Sequence, residues 1–151
     1  MTLSPKLGPN RFQCELASRL KNVDEVCKDL RVFLQSNGLA ADGFVIELLV
    51  REALNNAILH GNRKEPGKRA RLTLCLGRRW LRLQIEDQGS GFDWRRARSS
   101  IPEVQASRGR GMFISALYAD RVAFNRRGNQ ITLWLENSER AKRYQHGNIH
   151  A

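Results

Sequence analysis

Apolar and polar residues alternate over residues 11 to 17, RFQCELA, with Phe12, Cys14 and Leu16 on one face, and this period of two predicts a half-buried strand. The period then changes. Val23, Val26, Cys27, Leu30, Phe33 and Leu34 recur at helical intervals until Asn37-Gly38, and Asn22 with Glu25 has the spacing of a capping box at the start. A short linker, LAADG, leads to the most apolar stretch of the chain, Glu47 to Asn62, ELLVREALNNAILHGN. Around that helix Ile46, Leu49, Val50, Ala53, Leu54, Ala57 and Ile58 fill a broad apolar arc, and Gly61 is placed to end it. Glu52, Asn56 and His60 follow one another at four-residue spacings, so Asn56 lies about 40° and His60 about 80° round from Glu52. They form one polar row at the rim of the apolar arc.

Arg63 to Arg69 is a charged loop containing Pro66-Gly67. Beyond it Leu72, Leu74 and Leu76 alternate with polar residues, and after Gly77-Arg78-Arg79 so do Leu81, Leu83 and Ile85, which predicts a hairpin. Its inward leucines need a cover, and the two helices can supply one. Asp87 to Arg108 has no sustained period and reads as a long loop, of the kind that is functional or mobile in a compact domain. A short helix, GMFISALYA, opens at Gly111 behind Gly109. Val122 and Phe124 mark a strand, Arg127-Gly128-Asn129 a turn, and Ile131, Leu133 and Leu135 a last strand.

At 151 residues the chain is one domain with a real core, and 41% hydrophobic content suits a globular fold. No apolar run approaches the roughly 20 residues of a membrane span, and MTLSPKLGPN lacks the apolar segment of a signal peptide, so the expected location is cytoplasmic. Cys14, Cys27 and Cys75 are odd in number and sit in apolar patterns, which suits reduced thiols rather than disulfides or a metal site. The net charge of +11 favours acidic or polyanionic partners. A solvated basic surface accounts for that charge without a dedicated nucleic-acid site, and neither zinc-finger spacing nor an RNP-type aromatic motif is present.

Three short patterns bear on chemistry. The polar row of the central helix is served either by neighbouring protein groups or by a ligand, because an unpaired buried amide costs roughly 2 to 7 kcal/mol. Asp87-Gln-Gly89-Ser-Gly91 follows a strand: its glycines leave room for a flat ligand, and its carboxylate can accept from an amino group such as that of adenine. Arg108-Gly109-Arg110-Gly111 stands at a helix mouth, where free N–H groups favour phosphate. Taken alone, each glycine pattern is also that of an ordinary turn. Their order gives each part a job, since an asparagine oxygen suits Mg²⁺ and a carboxylate one turn earlier can orient or deprotonate a hydroxyl.

With these residues in this order the chain resembles the anti-sigma-factor serine-protein kinases, within the superfamily of ATPases that includes histidine kinases, gyrase B and mismatch-repair ATPases. The resemblance rests on Glu52-Ala-Leu-Asn-Asn56-Ala-Ile-Leu-His60-Gly61 as the N box, Asp87-Gln-Gly89-Ser-Gly91 as the first glycine box and Gly109-Arg110-Gly111-Met112 as the second. It spans roughly residues 10 to 136 and leaves 1–9 and 137–151 as flexible tails. It implies an α/β two-layer sandwich with one mixed, largely antiparallel sheet, helices on one face, and ATP or ADP held between the layers. It further implies Asp87 on the adenine, Asn56 on Mg²⁺, the Gly109 to Gly111 segment on phosphates, and Glu52 as general base. His60, Gly89, Gly91, Arg108, Arg110 and Met112 complete the nucleotide-binding set. In the last turn Gly128-Asn129-Gln130-Ile131-Thr132 departs from the Gly-Thr of many members, so the third box is imperfect.

The expected activity is ATP-dependent phosphorylation of a serine on a small anti-anti-sigma-type protein, with a sigma factor as a second partner and a homodimer among the states allowed. A rival is a module that uses ATP to shape a partner surface with little or no transfer; another is a basic nucleic-acid binder. The chain has no G-x-x-x-x-G-K-[ST] phosphate loop and no H-R-D or D-F-G segment, which excludes the other common phosphate-transfer schemes.

Overall fold

The alternating segments pair into one six-stranded sheet in a computed structural model that describes residues 6–8, 10–91 and 118–137. The strands are β1 (Lys6–Gly8), β2 (Arg11–Ala17), β3 (Arg69–Leu76), β4 (Trp80–Glu86), β5 (Arg121–Phe124) and β6 (Gln130–Glu136), in the order β1-β2-β3-β4-β6-β5. Every pairing among the described residues is antiparallel, so the mixed sheet expected from the sequence is antiparallel throughout that part. Two helices, α1 (Lys21–Ser36) and α2 (Gly43–Asn56), lie between β2 and β3 in the chain. The fold is therefore an α/β layer structure with its helices on one face.

Register explains why one face is dry. Phe12, Leu74, Leu83, Leu133 and Val122 are successive partners across the sheet, and Cys14, Leu72, Ile85, Ile131 and Phe124 form the next row. All of these but Phe124 pack with the apolar sides of α1 and α2 into one core. Each fully buried Leu, Ile or Phe there contributes about 1.5–3 kcal/mol relative to exposure. Cys14 and Cys27 lie in this core without disulfides, and burial pushes their thiols up to about 12 and about 11, so they stay protonated and inert.

The ends of α1 separate what local sequence dictates from what it does not. At the C-terminus Gly38 takes a φ of 71°, Leu39 N–H donates to Leu34 O at 2.8 Å and Gly38 N–H to Gln35 O at 3.1 Å, the glycine-closed end that Asn37-Gly38 predicts. The capping box at the N-terminus does not form. Leu20 holds the cap position without a side-chain cap bond, while Asn22 is buried in the first turn and its amide donates to Ala17 O at 3.0 Å. Asn22 ties α1 to the end of β2 instead.

On the outer side of the helix pair, Arg31 grips both carboxylate oxygens of Glu47, and Arg51 bridges Glu47 and Asp24. The Arg31 hydrogen bond holds the Glu47 carboxyl below its ordinary range. Two stretches assigned to tails from the sequence belong to the fold: Lys6–Gly8 pairs with β2, and Asn137 is buried with its N–H on Arg79 O at 2.6 Å. The Phe92 to Arg108 loop, the second glycine segment and the helix expected after it lie outside the described residues up to position 117. Among the described residues no helix is long and apolar enough to cross a membrane.

Candidate functional site

All seven residues of the apolar arc, Ile46, Leu49, Val50, Ala53, Leu54, Ala57 and Ile58, are buried, so the sequence pattern fixes how α2 faces the sheet. At the rim, Glu52 and Asn56 are half-buried. Among the described residues, neither side chain has a hydrogen-bond or ion-pair partner. A half-buried carboxylate and amide without a described partner suit the polar row to a ligand as the sequence allows.

After Asn56 the helix widens. Ala57–Gly61 form a π-turn, with Asn62 N–H donating to Ala57 O at 2.7 Å, and His60 on that turn is exposed. Gly61 ends the helical run as the sequence suggests, and the chain reverses through Arg63 and Lys64, which take left-handed φ values of 52° and 56°. Isolated π-turns often sit at functional sites. Here the reason for the turn is visible in its last residue: Gly61 lies so close to Asp87 that a Cβ would overlap the carboxyl group.

Asp87 begins the loop after β4, and its first three residues are anchored. Its own N–H donates to Asn129 O at 2.9 Å, and its carbonyl accepts from Asn129 Nδ2 at 2.8 Å. Gln88 N–H donates to Asn62 Oδ1 at 2.8 Å, and Gly89 N–H to Asp87 Oδ1 at 2.8 Å. A Cβ on Gly89 would strike Gly61 O, so this glycine is required by helix-to-loop contact. Gly91 has a φ of 83° and abuts Arg127 O, where a side chain would be both strained and blocked.

Two asparagine devices hold this loop, and neither is evident from spacing. Asn62 is fully buried; besides taking Gln88 N–H, it donates through Nδ2 to Ser18 Oγ at 3.0 Å, and Ser18 Oγ donates to Lys68 O at 2.8 Å. In the β5–β6 turn, Asn125 Oδ1 collects the N–H groups of Gly128, Asn129 and Gln130, while its Nδ2 donates to Asn129 Oδ1 at 2.7 Å. That bond fixes which way the Asn129 amide points and turns its donor toward Asp87. The residue read as an imperfection of the third box thus braces both backbone groups of Asp87.

The site therefore has an open polar rim on α2, a glycine-lined contact between the helix end and a strand-end carboxylate, and a doubly braced loop. The sequence model of a family described as the histidine kinase-like ATPase domain matches residues 16–135, which include all of these elements. The chain belongs to that family. No curated protein matches the chain.

In this ATPase domain the charge state of Asp87 is set by its packing. Burial pushes the carboxyl up from its ordinary value, and Glu86 adds to that; the Gly89 N–H, Arg127 and Lys68 act in the opposite direction. The sign follows: a carboxyl whose folded pKa is raised favours folding when protonated, and that contribution is lost as pH rises from the unfolded value through the folded one. Asp87→Asn keeps an acceptor for Gly89 N–H and does not titrate. The melting temperature of this variant minus that of the wild type should therefore rise with pH across the acidic range and level off above it. A difference independent of pH would show that Asp87 is not held at a cost.

The remaining site residues inferred from the sequence, Arg108, Gly109, Arg110, Gly111 and Met112, lie outside the described residues. Among the described residues, no group of three His, Cys, Asp or Glu side chains is placed to hold a metal ion. A cation there would depend on a neutral oxygen such as that of Asn56 together with ligand oxygens. The Asn56 amide, half-buried and without a partner among the described residues, fits that requirement.

Proposed function

We propose that this ATPase domain is a serine-protein kinase of the anti-sigma type, which phosphorylates a small anti-anti-sigma-like protein and exchanges it for a second partner. The observation that carries the reading is the placement of Glu52 one helical turn before Asn56, both half-buried and without partners among the described residues, on the helix whose end abuts Asp87.

In this reading Asp87 accepts a hydrogen bond from the adenine amino group, and the bracing of its backbone by Asn129 and of the next residue, Gln88, by Asn62 fixes where the base sits. Asn56 would hold Mg²⁺, which when bound neutralises charge on the phosphates. The Gly109 to Gly111 segment with its flanking arginines is assigned to the phosphates, and His60 and Met112 to the nucleotide pocket. Glu52 takes the proton from the incoming serine hydroxyl as that oxygen attacks the γ-phosphorus and ADP departs.

The test is direct. Proteins recovered from the native cell on the full-length chain, with and without ATP, are incubated with it, ATP and Mg²⁺, and phosphoserine is sought by mass spectrometry. Phosphoserine on an ATP-dependent partner is expected. A partner that associates only with ATP but is never phosphorylated would replace the kinase by an ATP-shaped partner-switching module.

A further inference from the structure

The sheet face turned away from α1 and α2 carries a pattern that ATP binding does not use. Its register brings Arg11, Cys75, Arg82, Trp134 and Arg121 into one row across β2, β3, β4, β6 and β5. With neighbouring strands about 4.8 Å apart, the row is roughly 19 Å long and its arginines recur about every 10 Å. All three arginines are exposed, and among the described residues no carboxylate pairs with any of them. The acidic residues of this face flank the row rather than enter it: Glu15 and Glu86 lie four residues along their strands beside Arg71, and Glu136 lies opposite Trp80 with Arg79 nearby.

Two tryptophans share the basic end. Trp134 is in the row itself, with the Arg121 guanidinium 4.8 Å from its ring centroid. Trp80, 39% exposed, lies two residues before Arg82 on the same face and has Arg79 at 5.6 Å from its ring. Since Trp80 pairs with Glu136 and Arg82 with Trp134, the two indoles are diagonal neighbours on adjacent strands, about 7–8 Å apart at the backbone. Among the described residues no helix packs on this face.

We infer that this open face is a platform for single-stranded nucleic acid, with the arginine row on the phosphates and Trp80 and Trp134 beneath bases. Charge complementarity sets the sign of the ligand, and the aromatic pair sets its class. Aromatic rings presented on a sheet face reach bases only where these are unpaired, as they are in single strands. A folded acidic protein fits less well: the centre of the face is Gln13, Thr73, Gln84 and Thr132, without the apolar core on which protein interfaces are built. The inference is independent of the kinase reading, because the two surfaces lie on opposite sides of the sheet.

Fluorescence anisotropy with labelled RNA and DNA single strands of about 12 nucleotides tests it on the full chain. The expected result is binding whose logarithm falls against log salt with a slope near −2, from about −0.7 for each of three phosphate contacts. Trp80→Ala should weaken binding about 5- to 150-fold, and Arg82→Ala should flatten the slope by about 0.7. Saturating ATP and Mg²⁺ should leave the affinity unchanged. Whichever sugar binds more tightly identifies the natural strand. The inference is overturned if ATP competes, if a duplex of the same sequence binds equally well, or if polyglutamate displaces the strand at equal charge. It is overturned also if both variants, with unchanged melting temperatures, bind as the wild type does.

Discussion

Replacing Glu52 with glutamine is expected to slow phosphate transfer to the partner serine by about 10²- to 10⁴-fold, the usual worth of a general base. ATP affinity and partner association should stay near wild type. The reason for the split lies in where Glu52 sits. It is half-buried beside the apolar arc and makes no hydrogen bond or ion pair among the described residues, so the amide breaks no contact that orders α2. Only basicity is removed. Single-turnover transfer and calorimetric titration of ATP measure the two quantities separately, and a glutamine variant that transfers phosphate at the wild-type rate would make Glu52 structural.

Asp87→Asn should act on the other side of the same split, weakening ATP and ADP binding roughly 10- to 150-fold, the equivalent of about 1.5–3 kcal/mol for a hydrogen bond to a charged group. The fold should survive, because the contacts that hold position 87 are made by its backbone to Asn129 and would be retained. Desolvation already opposes the ionised carboxylate in the free protein, and under the proposed reading a hydrogen bond from adenine would offset part of that cost. Unchanged affinity in the variant would place adenine elsewhere.

The sequence discloses the site unevenly, and the division is physical. The orientation of α2 is legible because the period of its apolar residues is a local property, and all seven predicted core positions are buried. The β3–β4 hairpin and the β5–β6 turn are legible for the same reason, each joining chain neighbours. What holds Asp87 is not local. Asn129 reaches it across 42 residues, and Asn62 meets Ser18 across 44 and Gln88 across 26. No periodicity records such pairs. The signal that remained was an asparagine directly after the helix-ending Gly61, where a polar residue next to a core helix needs partners.

Gly89 and Gly91 show a subtler gap. Their spacing from Asp87 suggests room for a flat ligand, but the structure uses the missing side chains to seat the loop against Gly61 and Arg127. Asn22 makes the same point from the other direction. Its spacing to Glu25 has the form of a cap, yet burial against β2 gives its amide a better acceptor in Ala17. Local propensity yields when a tertiary partner satisfies the same group.

The claim on which the account rests is that ATP occupies the space between the rim of α2 and the Asp87 loop. The measurement that tests it most directly is a titration of the isotopically labelled protein with ATP and Mg²⁺, followed through its backbone amide resonances. Large shifts are predicted at Glu52 to Asn62 and Asp87 to Gly91, with smaller ones at Asn129, and none at Arg11, Arg82 or Arg121 on the opposite face. Saturable shifts confined to that opposite face, or none anywhere at millimolar nucleotide, would contradict it.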